Sequence, residues 1–180
     1  MKTALTANEL LHLYLPGKRT ELVRGRLVVS EPPGFRHGAV TARLASLLTA
    51  HVAAHHLGTV VAGDAGFTLE RNPDTVRGPD AAFIRKDRVP EPVPAGFAEL
   101  APDLVAEVLS PGDRPGEVLS KVGDWLKAGT PLVWVLDPRR QMVRVYRADG
   151  SESLLGETDV LEGEAVLPGF TISVAALFAD

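Results

Sequence analysis

Asp80 and Glu107 are the side chains best placed in this sequence to do chemistry. Asp80 follows Pro79 at the start of a strand-like segment, and Glu107 interrupts the otherwise apolar run from Asp103 to Ser110. A carboxylate inside a buried strand is costly unless it is paired or binds a metal. If the two strands are central neighbours, both carboxylates reach one site. Two hard oxygen ligands plus water there suit Mg²⁺ or Mn²⁺, an ion that polarises a phosphate and activates water. The alternative is a Glu107 that faces solvent from a half-exposed strand and an Asp80 that merely starts a turn.

Lys121 is the second candidate. On a helix it falls about 60° from Val118 and about 100° from Val122, at the border of the apolar stripe. From there it can reach the end of the preceding strand, near Glu107 and Ser110. It can then hold or deprotonate a water, or neutralise charge growing on a phosphate. A lysine that only covers core surface with its stem is the other reading. Glu21 can add a carboxylate from the first hairpin, or can be an exposed edge residue. Arg36 and His37 stand where a Pro-Gly loop enters the longest helix, a position suited to touching phosphate and equally open to plain surface residues.

His51 and His55 have i, i+4 spacing, but no glutamate follows His51 and no third ligand is evident, so they read as structural. The Walker, GxGxxG and GxSxG signatures are absent. Two Trp and two Tyr leave few stacking platforms for a sugar, which disfavours a glycosidase.

These residues need elements to position them. Thr6 and Glu9 have capping-box spacing before an apolar run that Pro16-Gly17 ends. Arg24-Gly25 between two apolar runs predicts a tight β-hairpin. A long helix is expected from about Arg36 to Leu57, with Val40, Leu44, Leu47, Leu48 and His51 on one face and Gly58 as its stop. Strands are expected at Thr59–Gly63, Gly66–Arg71 and Pro79–Ile84, and a Pro-rich surface loop at 86–102. The run from Asp103 to Ser110 reads as a buried central strand. A helix over 117–129 carries Val118, Val122, Trp125 and Leu126 on one side. A hairpin then turns at 138–141, and the remaining tail reads as strand-poor, with a short closing helix at 174–178. The fold class is therefore α/β (α+β): one domain over 1–180, a mixed sheet flanked by helices, with an N-terminal helix and β-hairpin.

Composition bounds the rest. The chain has 180 residues, a net charge of −4 and no cysteine, which removes disulfides and thiolate chemistry. The longest run of large apolar residues, Leu132 to Leu136, is too short to span a bilayer. The start lacks a signal-peptide cleavage pattern, so a cytoplasmic location is expected. The net charge hides an asymmetry: residues 1–60 sum to +4 and contain all five histidines, whereas residues 61–180 sum to −8. A basic face and an acidic face are therefore compatible with the total.

In this order, the stretches Glu21 to Leu27, Pro33 to His37, Pro79-Asp80, Ala101 to Pro111, Lys121, Ala128 to Pro138 and Leu167 to Phe170 resemble the Uma2 family (DUF820). That family is assigned to the PD-(D/E)XK nuclease superfamily. The resemblance spans about residues 8 to 178 and is most specific in its PDLVxEVLSP and WxLDP segments. It implies a restriction-endonuclease-like core, Asp80 and Glu107 as metal-binding acids, and metal-dependent hydrolysis of DNA. Two departures stand out. The lysine expected two residues after the second acid is Leu109 here, and Lys121 matches relatives that supply it from the next helix. The hairpin, usually Asp-Gly-Glu, is Arg24-Gly25-Arg26, which puts two bases beside Glu21.

The leading expectation is a Mg²⁺- or Mn²⁺-dependent endonuclease. Asp80 and Glu107 would hold the metal, Glu21 would complete its shell, Lys121 would orient the water or stabilise the transition state, and Arg36 and His37 would hold substrate phosphate. The competing expectation is a non-catalytic nucleic-acid-binding or assembly module on the same fold. A third is a structural domain that self-associates. A homodimer is expected in solution, with no membrane partner.

Overall fold

Thr6 caps the first helix, α1 (Ala7–Leu11), as its spacing to Glu9 predicts. Its hydroxyl accepts from the Glu9 N–H at 3.3 Å, and Glu9 Oε2 accepts from the Thr6 N–H at 2.8 Å. The computed structural model describes residues 4–179; the first three residues of the opening stretch lie outside it. Next come β1 (Arg19–Val23) and β2 (Arg26–Ser30), joined through Arg24 and Gly25, both at positive φ, as a two-residue hairpin requires.

The long helix α2 spans Phe35–His55. Its stop differs from expectation. His56 adopts the left-handed conformation and donates its N–H to the last turn, and Gly58 instead opens β3 (Gly58–Ala62). Gly58 has φ 153°, and a side chain there would collide with the Ile84 carbonyl of the neighbouring strand. The glycine serves strand approach rather than helix termination.

After β3 come β4 (Phe67–Glu70), β5 (Thr75–Arg77), β6 (Ala81–Arg85), a 3₁₀ turn at Lys86–Arg88, β7 (Leu104–Val108), α3 (Pro115–Ala128), β8 (Leu132–Asp137) and β9 (Met142–Arg147). The three-residue β5, which lies between two Pro-Asp-containing turns, has no periodic signature of its own. The tail also departs from a strand-poor reading: β10 (Glu152–Leu155), β11 (Val160–Glu162) and β12 (Thr171–Ser173) precede α4 (Val174–Phe178). Each strand is short, yet Leu161, Leu167, Phe170, Val174 and Leu177 are all buried. These side chains seal the core beneath α2, which a count of strand-forming residues does not reveal.

Three sheets result: β2-β1-β5-β4, β10-β9-β8-β7-β6-β3 and β11-β12. The six-stranded sheet is mixed, because β7 and β8 run parallel around the crossover helix α3 while its other pairs are antiparallel. Strand alternation distributes β7 between two layers. Leu104, Ala106 and Val108 join the core under α2 with Val40, Leu44 and Trp134, whereas Val105 joins the core under α3 with Val122, Trp125 and Phe67. Glu107 shares the parity of Val105, so the fold aims this acid at α3. Among the described residues no helix is long and apolar enough to cross a membrane.

Candidate active site

The pairing of β6 with β7 sets Ala81 opposite Ala106, Ala82 opposite Val105 and Phe83 opposite Leu104. Continued by one residue, that register sets Asp80 opposite Glu107. Both acids are buried, at 4% and 6% exposure. Directly opposed like charges repel, and removing an ion from water costs several kcal/mol, so each carboxylate needs donors.

Each has them. Asp80 Oδ2 accepts from the Val108 N–H at 2.6 Å, and Oδ1 lies 3.0 Å from His37 Nε2 and 3.4 Å from Arg19 Nη2. Glu107 Oε2 accepts from Lys121 Nζ at 2.8 Å, and Oε1 accepts from the indole N–H of Trp125 at 2.8 Å. Lys121 and Trp125 are four residues apart on α3, on one face of the helix. Burial lifts the Glu107 carboxyl to about 7, with Asp80 and Glu21 adding to the rise and Lys121 opposing it. Burial alone would depress the Lys121 ammonium, but Glu107 and Glu21, and behind them Asp80, hold it above the usual lysine range. These acids favour the charged form of Lys121, which donates to Glu107 and to the Gly78 carbonyl.

Glu21, on β1, joins the same cluster. Its Oε1 lies 3.2 Å from Lys121 Nζ and accepts from the Gly78 N–H at 2.9 Å; its Oε2 accepts from Arg77 at 2.8 Å. Burial opposes ionisation of Glu21, yet the Lys121 and Arg77 charges hold its carboxyl below the ordinary value. Gly78 also accepts from Lys121 at 3.1 Å, and a Cβ on it would come within 2.8 Å of the Asp64 carbonyl. Asp64 in turn pairs with Arg19. Burial raises the Asp64 carboxyl, with Arg19 opposing.

The structure thus brings five of the six sequence-derived residues together: Glu21, His37, Asp80, Glu107 and Lys121. It does not bring in Arg36, which is exposed in the first turn of α2. His37 differs from expectation in its contacts. It is buried, with Nε2 on Asp80 and Nδ1 3.4 Å from the Ser110 hydroxyl, so it supports the acid instead of facing solvent.

Among the described residues no three His, Asp or Glu side chains form a closed metal cage. The donors do suit an ion that keeps much of its water. Two carboxylates supply hard oxygens, and each Glu107 oxygen, like Asp80 Oδ2, has a lone pair beyond the one its protein donor uses. The charge balance agrees. Glu21, Asp64, Asp80, Glu107 and Asp124 face Arg19, Arg77 and Lys121, five acids to three bases.

Residues 7–175 match the Uma2 family, described as "putative restriction endonuclease". The chain belongs to the Uma2 family. Its fold is similar to the crystal structure of a putative nuclease belonging to DUF820 from Anabaena variabilis, with a TM-score of 0.85 and 24% identity over 97% of each chain. No curated protein matches it.

Sequence reading of this Uma2 chain missed Arg19, Asp64, Arg77, Ser110 and Asp124 as parts of the site, and placed Trp125 only in the core. Helical spacing had a signal for two of them, because Asp124 and Trp125 lie three and four residues after Lys121. It had one for His37 as well, three residues before Val40 on the buried stripe that runs through Leu44, Leu48 and Val52. Arg77 had no such signal, since β5 itself was not legible.

Proposed function

We propose that this Uma2 chain is a Mg²⁺- or Mn²⁺-dependent nuclease that hydrolyses phosphodiester bonds in DNA. The observation that carries the reading is the Glu107 carboxylate, opposite Asp80 in register and held by the Lys121 ammonium at 2.8 Å. Asp80 and Glu107 would hold the cation, which when bound polarises the phosphate and lowers the pKa of water. His37 and the Val108 N–H fix the Asp80 carboxylate in place. The Lys121 ammonium orients the attacking water and offsets the charge that gathers on the phosphate oxygens. Glu21 acts through Lys121, which it touches, rather than through the metal. Arg36 at the mouth of α2 meets substrate phosphate as a screened surface charge. The water oxygen bonds to phosphorus and gives up a proton to solvent, the bond to the leaving sugar oxygen breaks, and that oxygen takes up a proton from solvent.

The test is cleavage of plasmid DNA with and without Mg²⁺ or Mn²⁺, comparing the wild type with Asp80→Asn and Glu107→Gln. Metal-dependent nicking by the wild type alone is expected. Equal products from all three proteins would remove the assignment. Salt-sensitive DNA binding without any metal-stimulated cleavage would leave a binding module on the same fold.

A further inference from the structure

Arg77 is a buried cation that touches neither Asp80 nor Glu107, yet it sits at the centre of the charges around them. Its side chain is 7% exposed. From β5 it reaches two other elements at once: Nη1 donates to Glu21 Oε2 on β1 at 2.8 Å, and Nε and Nη2 donate to Asp124 Oδ2 on α3 at 3.0 and 2.6 Å. A guanidinium can span two carboxylates in this way because its donors form a rigid fork.

Lys121 lies between two competing acids. Its Nζ is 2.8 Å from Glu107 Oε2 and 3.2 Å from Glu21 Oε1. In a buried site the ammonium goes where the less compensated negative charge is. Glu107 receives only a neutral indole N–H besides Lys121, whereas Glu21 receives a second cation, the Arg77 guanidinium that it shares with Asp124, and a backbone N–H from Gly78. Without Arg77, Glu21 would draw on Lys121 at least as strongly as Glu107 does.

We infer that Arg77, held by Asp124, is a positioning residue that keeps the Lys121 ammonium on Glu107 by neutralising Glu21. The inference rests on the nuclease reading only for its kinetic consequence. The position of Lys121 can be measured without it.

The experiment uses the full chain with Arg77→Gln, Glu21→Gln, the two combined, and Asp124→Asn. In crystal structures of the metal-free proteins, Lys121 Nζ should leave Glu107 for Glu21 in Arg77→Gln and return to Glu107 in the double variant. On duplex DNA with Mg²⁺, Arg77→Gln should lose at least about tenfold in kcat with KM within about twofold, and the double variant should lose less than Arg77→Gln alone. Asp124→Asn leaves the Arg77 charge on Glu21 and should cost less than about threefold. Lys121 remaining on Glu107 in Arg77→Gln would overturn the inference. So would losses that simply multiply in the double variant, or an Asp124→Asn defect as large as that of Arg77→Gln. The double variant decides the matter alone if Arg77→Gln does not fold: near-wild-type placement of Lys121 supports the inference, and displacement overturns it. A wild type that cleaves no DNA would end the nuclease reading, while the crystal structures would still decide what Arg77 does.

Discussion

The indole N–H of Trp125 donates to Glu107 Oε1 at 2.8 Å, so a fully buried aromatic ring holds one half of a carboxylate whose other half is held by Lys121. One face of α3 thereby supplies both protein donors to the central acid. Trp125→Phe keeps an aromatic ring beside Phe67, removes the donor and leaves some buried volume unfilled. A stability loss of about 1.5–3 kcal/mol is expected, as for hydrogen bonds to charged groups. Urea unfolding measures it, and titration calorimetry should show weaker Mn²⁺ binding as Glu107 becomes harder to ionise.

The pH dependence follows from Glu107, whose carboxyl is raised from 4.5 to about 7. Between those values the folded chain holds a proton that the unfolded chain has released. The contribution of Glu107 to stability is therefore full below 4.5 and is lost as pH rises through about 7. A bound divalent cation needs the ionised form, so its affinity should fall as pH drops below 7. The rise in Tm on adding Mn²⁺ should grow from pH 6 to pH 8. Calorimetry in buffers of different ionisation enthalpy should show proton release on binding near pH 6.5. A pH-independent affinity would contradict this account.

Lys121→Met should be costly in both stability and activity. It leaves Glu107 buried without its cation, a loss of about 3–5 kcal/mol for a broken buried pair. That loss should shrink as pH falls and Glu107 takes up its proton. Urea melts at pH 5.5 and pH 8 check the difference, and cleavage should drop by about 10²-fold or more.

His37 and Arg36 are neighbours in sequence and should separate in kinetics. His37→Ala removes a donor from the buried Asp80 carboxylate and should lower kcat and Mn²⁺ affinity. Arg36→Ala should raise KM alone and reduce the salt slope of DNA binding by about 1. Steady-state assays and binding isotherms at several salt concentrations distinguish them.

Asp103 ties down the β6–β7 pair. Its Oδ2 accepts from the Arg85 N–H at 2.9 Å and its Oδ1 from Arg88 at 2.7 Å. Asp103→Ala leaves a main-chain donor and a guanidinium without their partner, and should cost about 2–3 kcal/mol in urea unfolding. Any cleavage that survives in folded Asp103→Ala should show an unchanged metal requirement.

Periodic elements were legible because each rests on repeated apolar residues: α2 on the stripe through Val40, Leu44 and Leu48, and β7 and β8 on nearly unbroken apolar runs. The strands β5, β11 and β12 are three residues long, too short to display a period, so pairing rather than propensity forms them. The site divides in the same way. Glu107 could be found because it violates an apolar strand, and Lys121 because it matches a family pattern. Arg77 and Asp64 occupy segments without periodicity, and only the fold brings them to Glu21 and Arg19. At His37 the entering loop and the adjacent arginine suggest an anion grip, whereas the spacing from Val40 points inward, where the structure places it.

The register that sets Asp80 opposite Glu107 is fixed by main-chain pairing and by Asp103, at the far end of the β6–β7 pair from the two acids. Between these strands the chain runs out through an exposed stretch, residues 91–96. For protein engineering, this separates what can be altered from what cannot. A peptide tag or a sequence-reading module can be inserted at 91–96 without disturbing the acids. Deleting one residue between Asp103 and Glu107 moves the second acid to the opposite face of the sheet.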